Sequence, residues 1–293
     1  MKRVIGLGEV LWDLLPEGKQ LGGAPANFAY HAHALGASAW PVTRVGADGL
    51  GTEIVQRLAD QGLPTEQVQV DDTAPTGTVA VDLLPGGQHR FTIHEAVAWD
   101  RLEATPEALA LARSADVICF GTLGQRCAPS RAAIEAIASA APAEALRIFD
   151  INLRQRFYSP EVILGSLRIA NILKVNDEEL PVLAEVLALR GTPADQLMRI
   201  ASDFNLLLVA LTRGAEGSSL YADGRISDVA GSPAAVADTI GAGDAFTAAM
   251  ALGWLEGWEL DTINRRANTV ASFVCSRPGA TPEVPDEIAG LFK

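Results

Sequence analysis

The residues best suited to chemistry stand together at 238–244, Asp238-Thr239-Ile240-Gly241-Ala242-Gly243-Asp244, ahead of an Ala/Leu/Met run that reads as a helix to about residue 256. The glycines therefore open a helix, where unpaired N–H groups and the positive end of the macrodipole favour an anion such as a phosphoryl group. Gly241 and Gly243 let the backbone approach that anion with no Cβ in the way. Asp244 does not suit an anion site, because a carboxylate repels phosphate unless it has work to do. Accepting the proton of an attacking hydroxyl is such work, since phosphoryl transfer rests on positioning, charge neutralisation and one group that takes or orients that proton. An acidic residue in a first helical turn also complements the dipole. This stretch alone leaves both readings open.

Further polar groups leave predicted strands elsewhere. Gly22-Gly23-Ala24-Pro25-Ala26-Asn27 runs into an Ala-rich helix to about residue 35, with Pro25 suited to its first turn. The paired glycines form either a small-ligand surface or a tight turn. Asp150-Ile151-Asn152-Leu153-Arg154 and Lys174-Val175-Asn176-Asp177-Glu178-Glu179 follow apolar runs. Asn176 is a good N-cap and Glu179 completes a capping box. The same pair could order magnesium-bound water beside nucleotide phosphates, because magnesium prefers oxygen ligands and keeps its waters. Thr212, Gly214 and Gly217 make a turn that borders a nucleotide or is simply a tight β-turn.

The elements that must position these groups alternate. Strands are expected at 2–8, 38–44, 115–120, 146–150, 172–175 and 206–211, with helices to about 35 and 61 and at 106–114, 129–140, 160–170, 177–189 and 194–202. A hairpin at 218–221 and 225–229 turns at Asp223-Gly224. Short apolar strands alternating with helices predict an α/β fold, a mostly parallel sheet covered on both faces, with ligands at the carboxyl ends of its strands. Two segments interrupt the rhythm. Residues 10–15 and 19–21 turn at Pro16-Glu17-Gly18-Lys19, and 76–84 and 88–93 turn at Pro85-Gly86-Gly87. Strands of this kind that cannot bury both faces form a lid or a dimer surface, or decorate a sheet edge.

Composition narrows the classes. The 293 residues suit one large domain with an appendage, and a net charge of −13 argues against nucleic acid. No apolar run is long enough for a membrane span, and the first residues pass straight into strand-like sequence, so a soluble cytoplasmic protein is expected. Cys119, Cys127 and Cys275 have no metal spacing and suit a reducing compartment. His31, His33, His89 and His94 are expected as surface or packing residues. There is no Gly-x-x-x-x-Gly-Lys-Ser/Thr, no protein-kinase signature and no nucleophile elbow, and Leu11 stands where a dinucleotide fingerprint wants its third glycine.

Asp238-Thr239-x-Gly-Ala-Gly-Asp244 together with Gly22-Gly23-x-x-x-Asn27 resembles the two signatures of the ribokinase-like (PfkB) sugar kinases, in the expected order and over nearly the whole chain. The resemblance implies a three-layer α/β/α domain over 1–293, with a small β-sheet lid from about 10–22 and 76–95. It implies transfer of the ATP γ-phosphoryl group to a hydroxymethyl group of a small sugar. On that basis Asp244 is the base, the amides of Gly241, Ala242 and Gly243 form the anion hole, and Asp13, Gly22, Gly23 and Asn27 hold the sugar. Asn176 and Glu179 match the magnesium and phosphate element, Glu179 acting through water. Thr212, Gly214 and Gly217 match the nucleotide edge, and Asn268 the adenine pocket. A monovalent cation such as K+ would involve Asp238, the Ile240 carbonyl and the loop from Cys275 to Gly279, and the lid would also serve a homodimer. Gly8-Glu9-x-x-x-Asp13 and Asp150-x-Asn152-x-Arg154 are similar to fructokinase-type members, whereas Leu11 and Ala24 count against ribose. Arg154 could steady the phosphoryl group or meet a substrate carboxylate, which keeps 2-keto-3-deoxygluconate open beside fructose and a nucleoside. A non-catalytic sugar or nucleotide sensor is the alternative of another class.

Overall fold

The structure is a computed structural model, and it describes residues 1–15, 18–83, 89–231 and 236–292. Its strands are β1 (Arg3–Leu7), β2 (Leu11–Leu15), β3 (Gly18–Gly22), β4 (Ser38–Gly46), β5 (Val68–Asp71), β6 (Thr78–Leu83), β7 (His89–Ile93), β8 (Val117–Phe120), β9 (Leu146–Asp150), β10 (Ile172–Asn176), β11 (Leu208–Thr212), β12 (Ser218–Ala222) and β13 (Arg225–Val229). The helices are α1 (Ala24–Ala34), α2 (Gly49–Asp60), α3 (Pro106–Ala112), α4 (Ala128–Ser139), α5 (Pro160–Ile169), α6 (Glu179–Val186), α7 (Pro193–Phe204), α8 (Ala242–Leu255), α9 (Leu260–Cys275) and α10 (Asp286–Ala289).

Nine strands form one sheet in the order β13-β12-β11-β10-β9-β8-β1-β4-β5. All neighbours from β11 to β5 pair in parallel, and only the β11–β12 and β12–β13 pairs are antiparallel. Successive strand residues point to opposite faces. Ile148, Ile172 and Leu208 join one buried core with Phe246 of α8 and Val270 of α9, while their neighbours Phe149, Leu173 and Val209 join a second core with Ile134, Ile163 and Leu197. Both faces are thus covered, as the unbroken apolar strands demand, giving the expected three layers.

A separate four-stranded sheet, β3-β2-β6-β7, draws on both interrupting segments. β2 pairs antiparallel with β3 and parallel with β6, so the two segments meet side by side. Leu11, Val79, Ile93, Val97, Trp99, Leu123 and Phe157 form a small apolar cluster where this sheet meets the large one. Residues Pro16 and Glu17 and the turn at Pro85-Gly86-Gly87 lie outside the described residues.

The sequence expectations omit β5, α9 and the one-turn helix α10. β5 is a four-residue strand of mixed polarity at a sheet edge, too short for a periodic signal. α9 has no side-chain cap and carries Asn264, Arg265, Arg266 and Asn268, although Leu260, Ile263, Ala267, Val270 and Val274 form a buried stripe at helical spacing. No helix among the described residues is long and apolar enough to cross a membrane.

Candidate active site

Gly241 caps α8 in a left-handed conformation (φ 79°), and a Cβ there would lie 2.2 Å from the Ala280 carbonyl oxygen. Only glycine fits that backbone. The turn leaves Gly241, Ala242, Gly243 and Asp244 partly exposed, followed by nine buried residues that anchor the helix. Asn27, one turn into α1, is buried and its Nδ2 donates to Asp244 Oδ2 at 2.9 Å. The two signature motifs, 217 residues apart in sequence, therefore meet in a hydrogen bond.

Asp13 on β2 lies beside the paired glycines: a Cβ on Gly22 would stand 2.6 Å from Asp13 Oδ2, and one on Gly23 2.6 Å from the Glu9 carbonyl oxygen. Gly23 (φ 111°) is also the N-cap of α1. Three carboxyl groups gather at this end, and burial raises the pKa of each. Asp244 is pushed to about 6, with Asp150 adding to the rise and Asn27, Lys174 and Arg154 opposing it. Burial carries Asp13 to about 6 against the pull of Arg154. Burial carries Glu9, 3% exposed, to about 7. Glu9 Oε2 has no partner among the described residues. Arg154 is exposed, its Nη1 donates to the Leu153 carbonyl at 3.1 Å, and its charge reaches all three carboxyls.

Behind the loop the pairing is tighter. Lys174 on β10 and Asp150 on β9 are both buried, and Lys174 Nζ donates to Asp150 Oδ1 at 3.0 Å. Thr247 Oγ1 donates to Asp150 Oδ2 at 3.1 Å. Burial disfavours the Lys174 charge, but Asp150, Glu179 and Asp244 outweigh it and raise its pKa. A Cβ on Gly243 would be 3.2 Å from Lys174 Nζ, so this cation lies directly under the glycine loop.

Asn176 and Glu179 form a reciprocal cap. Asn176 Oδ1 accepts from the amides of Glu178 and Glu179 at 3.0 and 2.8 Å, and Glu179 Oε2 accepts from the Asn176 amide at 2.9 Å. Glu179 Oε1 accepts from the Leu153 amide at 2.9 Å, so the same carboxylate pins the loop that carries Arg154. Burial raises the Glu179 pKa, and Lys174 opposes that. Each of its oxygens keeps a lone pair for water, so the donor set fits magnesium through water.

Thr212 is the strand partner of Asn176, and its carbonyl accepts from the Asp177 amide at 3.0 Å. Gly214 and Gly217 close the adjoining turn, where the Gly217 amide donates to the Gly214 carbonyl at 3.1 Å. Asn268 sits across on α9, with Nδ2 donating to Ser218 Oγ at 2.6 Å and to the Asn264 carbonyl at 2.8 Å. Its amide is thereby engaged in a network beside Gly217. At the foot of the glycine loop, Asp238 accepts from the amides of Ile240 and Gly279 at 3.0 and 3.1 Å. The Cys275 carbonyl already accepts from the amides of Ala237 and Asp238, which leaves it no lone pair for a cation.

Lys174, Thr247 and Glu9 were not singled out from the sequence as site residues. Lys174 carried a signal, as a charged residue inside an otherwise apolar parallel strand. Thr247 carried none, since a hydroxyl in a helix bonds its own turn as readily as a neighbour.

The sequence profile of the pfkB family carbohydrate kinases matches residues 17–287. A fructokinase of Escherichia coli is 29% identical over 276 residues, covering 90% of this chain and 88% of that protein. Among solved structures, an uncharacterized sugar kinase from Pyrococcus horikoshii in complex with ATP superposes with a TM-score of 0.82 at 27% identity, over 100% of both chains. The fructokinase of Xylella fastidiosa with bound ATP gives a TM-score of 0.87 at 22% identity, over 99% of this chain and 97% of that one, which bears on the fold alone.

Proposed function

The chain belongs to the pfkB family of carbohydrate kinases, and from that premise we propose that it transfers the γ-phosphoryl group of ATP to a hydroxymethyl group of fructose. The observation that carries this reading is the bond from Asn27 to Asp244 at the mouth of a glycine-capped helix. It joins a group that can hold a sugar hydroxyl to one that can deprotonate it, beside the amides that open α8, of which that of Ala242 makes only a long 3.4 Å bond to the Thr239 carbonyl.

In the proposed mechanism Asp13, the Gly22-Gly23 backbone and Asn27 orient the sugar. Asp244 accepts the hydroxyl proton as the bond to phosphorus forms, and a pKa near 6 leaves it ionised at neutral pH yet able to take that proton. The amides of Gly241, Ala242 and Gly243 stabilise the oxygens of the migrating group, and Lys174 beneath Gly243 adds a fixed positive charge. Asn176 and Glu179 would hold magnesium-bound water, and the ion would neutralise phosphate charge. Thr212, Gly214, Gly217 and Asn268 would line the nucleotide. The four-stranded sheet would close over the sugar and exclude water, the competing acceptor, and its outer face would serve a second copy. A potassium ion at Asp238 would rely on the carbonyls of Ile240 and Gly279, since that of Cys275 is taken. Work of this kind on MgATP suits the cytoplasm.

Charge favours fructose over an acidic sugar. Asp13 and Asp244 lie at the acceptor end, with the buried Glu9 within charge range of Asp244 and with Arg154 as the exposed cation among them. A neutral polyol can donate to those carboxyls, whereas a substrate carboxylate would add a further negative charge. The fructokinases similar to this chain lend the same weight. A coupled assay of ADP release with saturating MgATP should give fructose a kcat/KM at least about tenfold above ribose, 2-keto-3-deoxygluconate and nucleosides. A preference for the acidic sugar would assign Arg154 to its carboxylate. Sugar binding without ADP release would make the chain a sensor.

A further inference from the structure

His31 lies one turn beyond Asn27 on α1 and is fully buried. Its Nε2 stands 2.9 Å from the Ala280 carbonyl oxygen, 249 residues away in sequence. Burial holds its pKa down at about 4, so the ring is neutral near neutral pH and Nε2–H is the donor in this pair. Nδ1 is then left without a partner among the described residues. An apolar side chain would fill this place without orphaning a nitrogen, so packing alone does not account for an imidazole here.

Ala280 is where the chain touches the glycine loop, since its carbonyl oxygen lies 2.2 Å from where a Gly241 Cβ would be. The preceding amide, of Gly279, donates to Asp238 at the other end of that loop. Neighbouring bonds strap the same segment: Tyr30 Oη donates to the Pro282 carbonyl at 2.9 Å, and Gln61 Nε2 to Thr281 Oγ1 at 2.9 Å. Of these donors, His31 is the one that acts on the residue in contact with Gly241.

We infer that His31 is a positioning residue for phosphoryl transfer: its bond to the Ala280 carbonyl sets the backbone against which Gly241 packs, and so fixes the start of α8 relative to Asn27 and Asp244. α1 then aligns both reactants, the acceptor through Asn27 and the anion loop through His31. The inference rests on reading residues 241–243 as the phosphoryl site, because misplacement of about 1 Å there lowers turnover far more than it lowers binding.

The test compares the full chain with His31→Leu, which removes the donor, and His31→Gln, which restores one at similar reach. Steady-state rates with fructose and MgATP are read beside backbone hydrogen exchange at 236–245 and 276–283. His31→Leu should lower kcat by about tenfold or more with the fructose KM changed by less than about twofold, and should speed exchange in both segments. His31→Gln should recover most of each. Unchanged kcat and exchange in His31→Leu overturn the inference, as does a His31→Gln variant no better than His31→Leu. Should His31→Leu not fold, His31→Asn takes its place, because the shorter amide cannot span the gap; wild-type turnover and exchange in that variant also overturn it. If the wild-type chain phosphorylates no sugar, the functional reading fails, while the exchange comparison still decides whether His31 holds the loop.

Discussion

The two ends of the candidate site differ in how their charges are paired. At the β9–β10 end Asp150 gives one oxygen to Lys174 and the other to Thr247, while Glu179 gives one to Leu153 and the other to Asn176. At the β1–β2 end Glu9 keeps an oxygen with no partner, Asp244 is held by Asn27, and the Arg154 guanidinium stands in solvent. A satisfied buried network fixes geometry, and unsatisfied groups carry a desolvation cost that ligand atoms can relieve. The first end is thus built as a frame and the second as a receptor.

The sharpest way to break this contrast is Asp244→Asn. It should lower kcat by about 10²- to 10⁴-fold, the usual worth of a general base, and leave ATP affinity measured by calorimetry nearly unchanged. An equal loss of ATP binding would move Asp244 from receptor to frame. Lys174→Met tests the frame itself. Leaving the Asp150 carboxylate buried without its partner should cost about 3–5 kcal/mol of stability, read from the urea midpoint at constant slope. A variant as stable as the parent would show that the pair is not structural.

Arg154→Gln gives the smallest effect and sharpens the contrast by pH. For the parent, kcat/KM should fall as pH drops through about 6, where Asp244 and Asp13 take up protons. The Arg154 charge lowers both pKa values, so its removal raises them and the acid limb should move to higher pH. A limb that stays in place would separate Arg154 from the carboxyls.

Most of the fold was legible because parallel strands buried on both faces are unbroken apolar runs, as at Leu208 to Leu211 in β11. The glycine loops were legible because few residues accept the backbone that Gly23 and Gly241 adopt. The polar connections were not. Lys174, Asp150 and Thr247 lie on three separate elements, and only the sheet order and the packing of α8 on the sheet bring them together. His31 looks like an ordinary helix residue, and Glu9 like one letter of a motif, until burial shows which of their atoms lack partners among the described residues. Asn176 and Glu179 admitted two readings, and the structure realises the capping box while leaving lone pairs for water. For this pair the two readings are compatible.

The double tether made by Glu179 limits how such a kinase can change. Because one side chain anchors both the Asn176 turn and the backbone just before Arg154, a redesigned loop here must still present an amide at position 153. A loop graft that lost this amide would loosen the Asn176 turn as well, so the segment around position 153 cannot be exchanged as an isolated module.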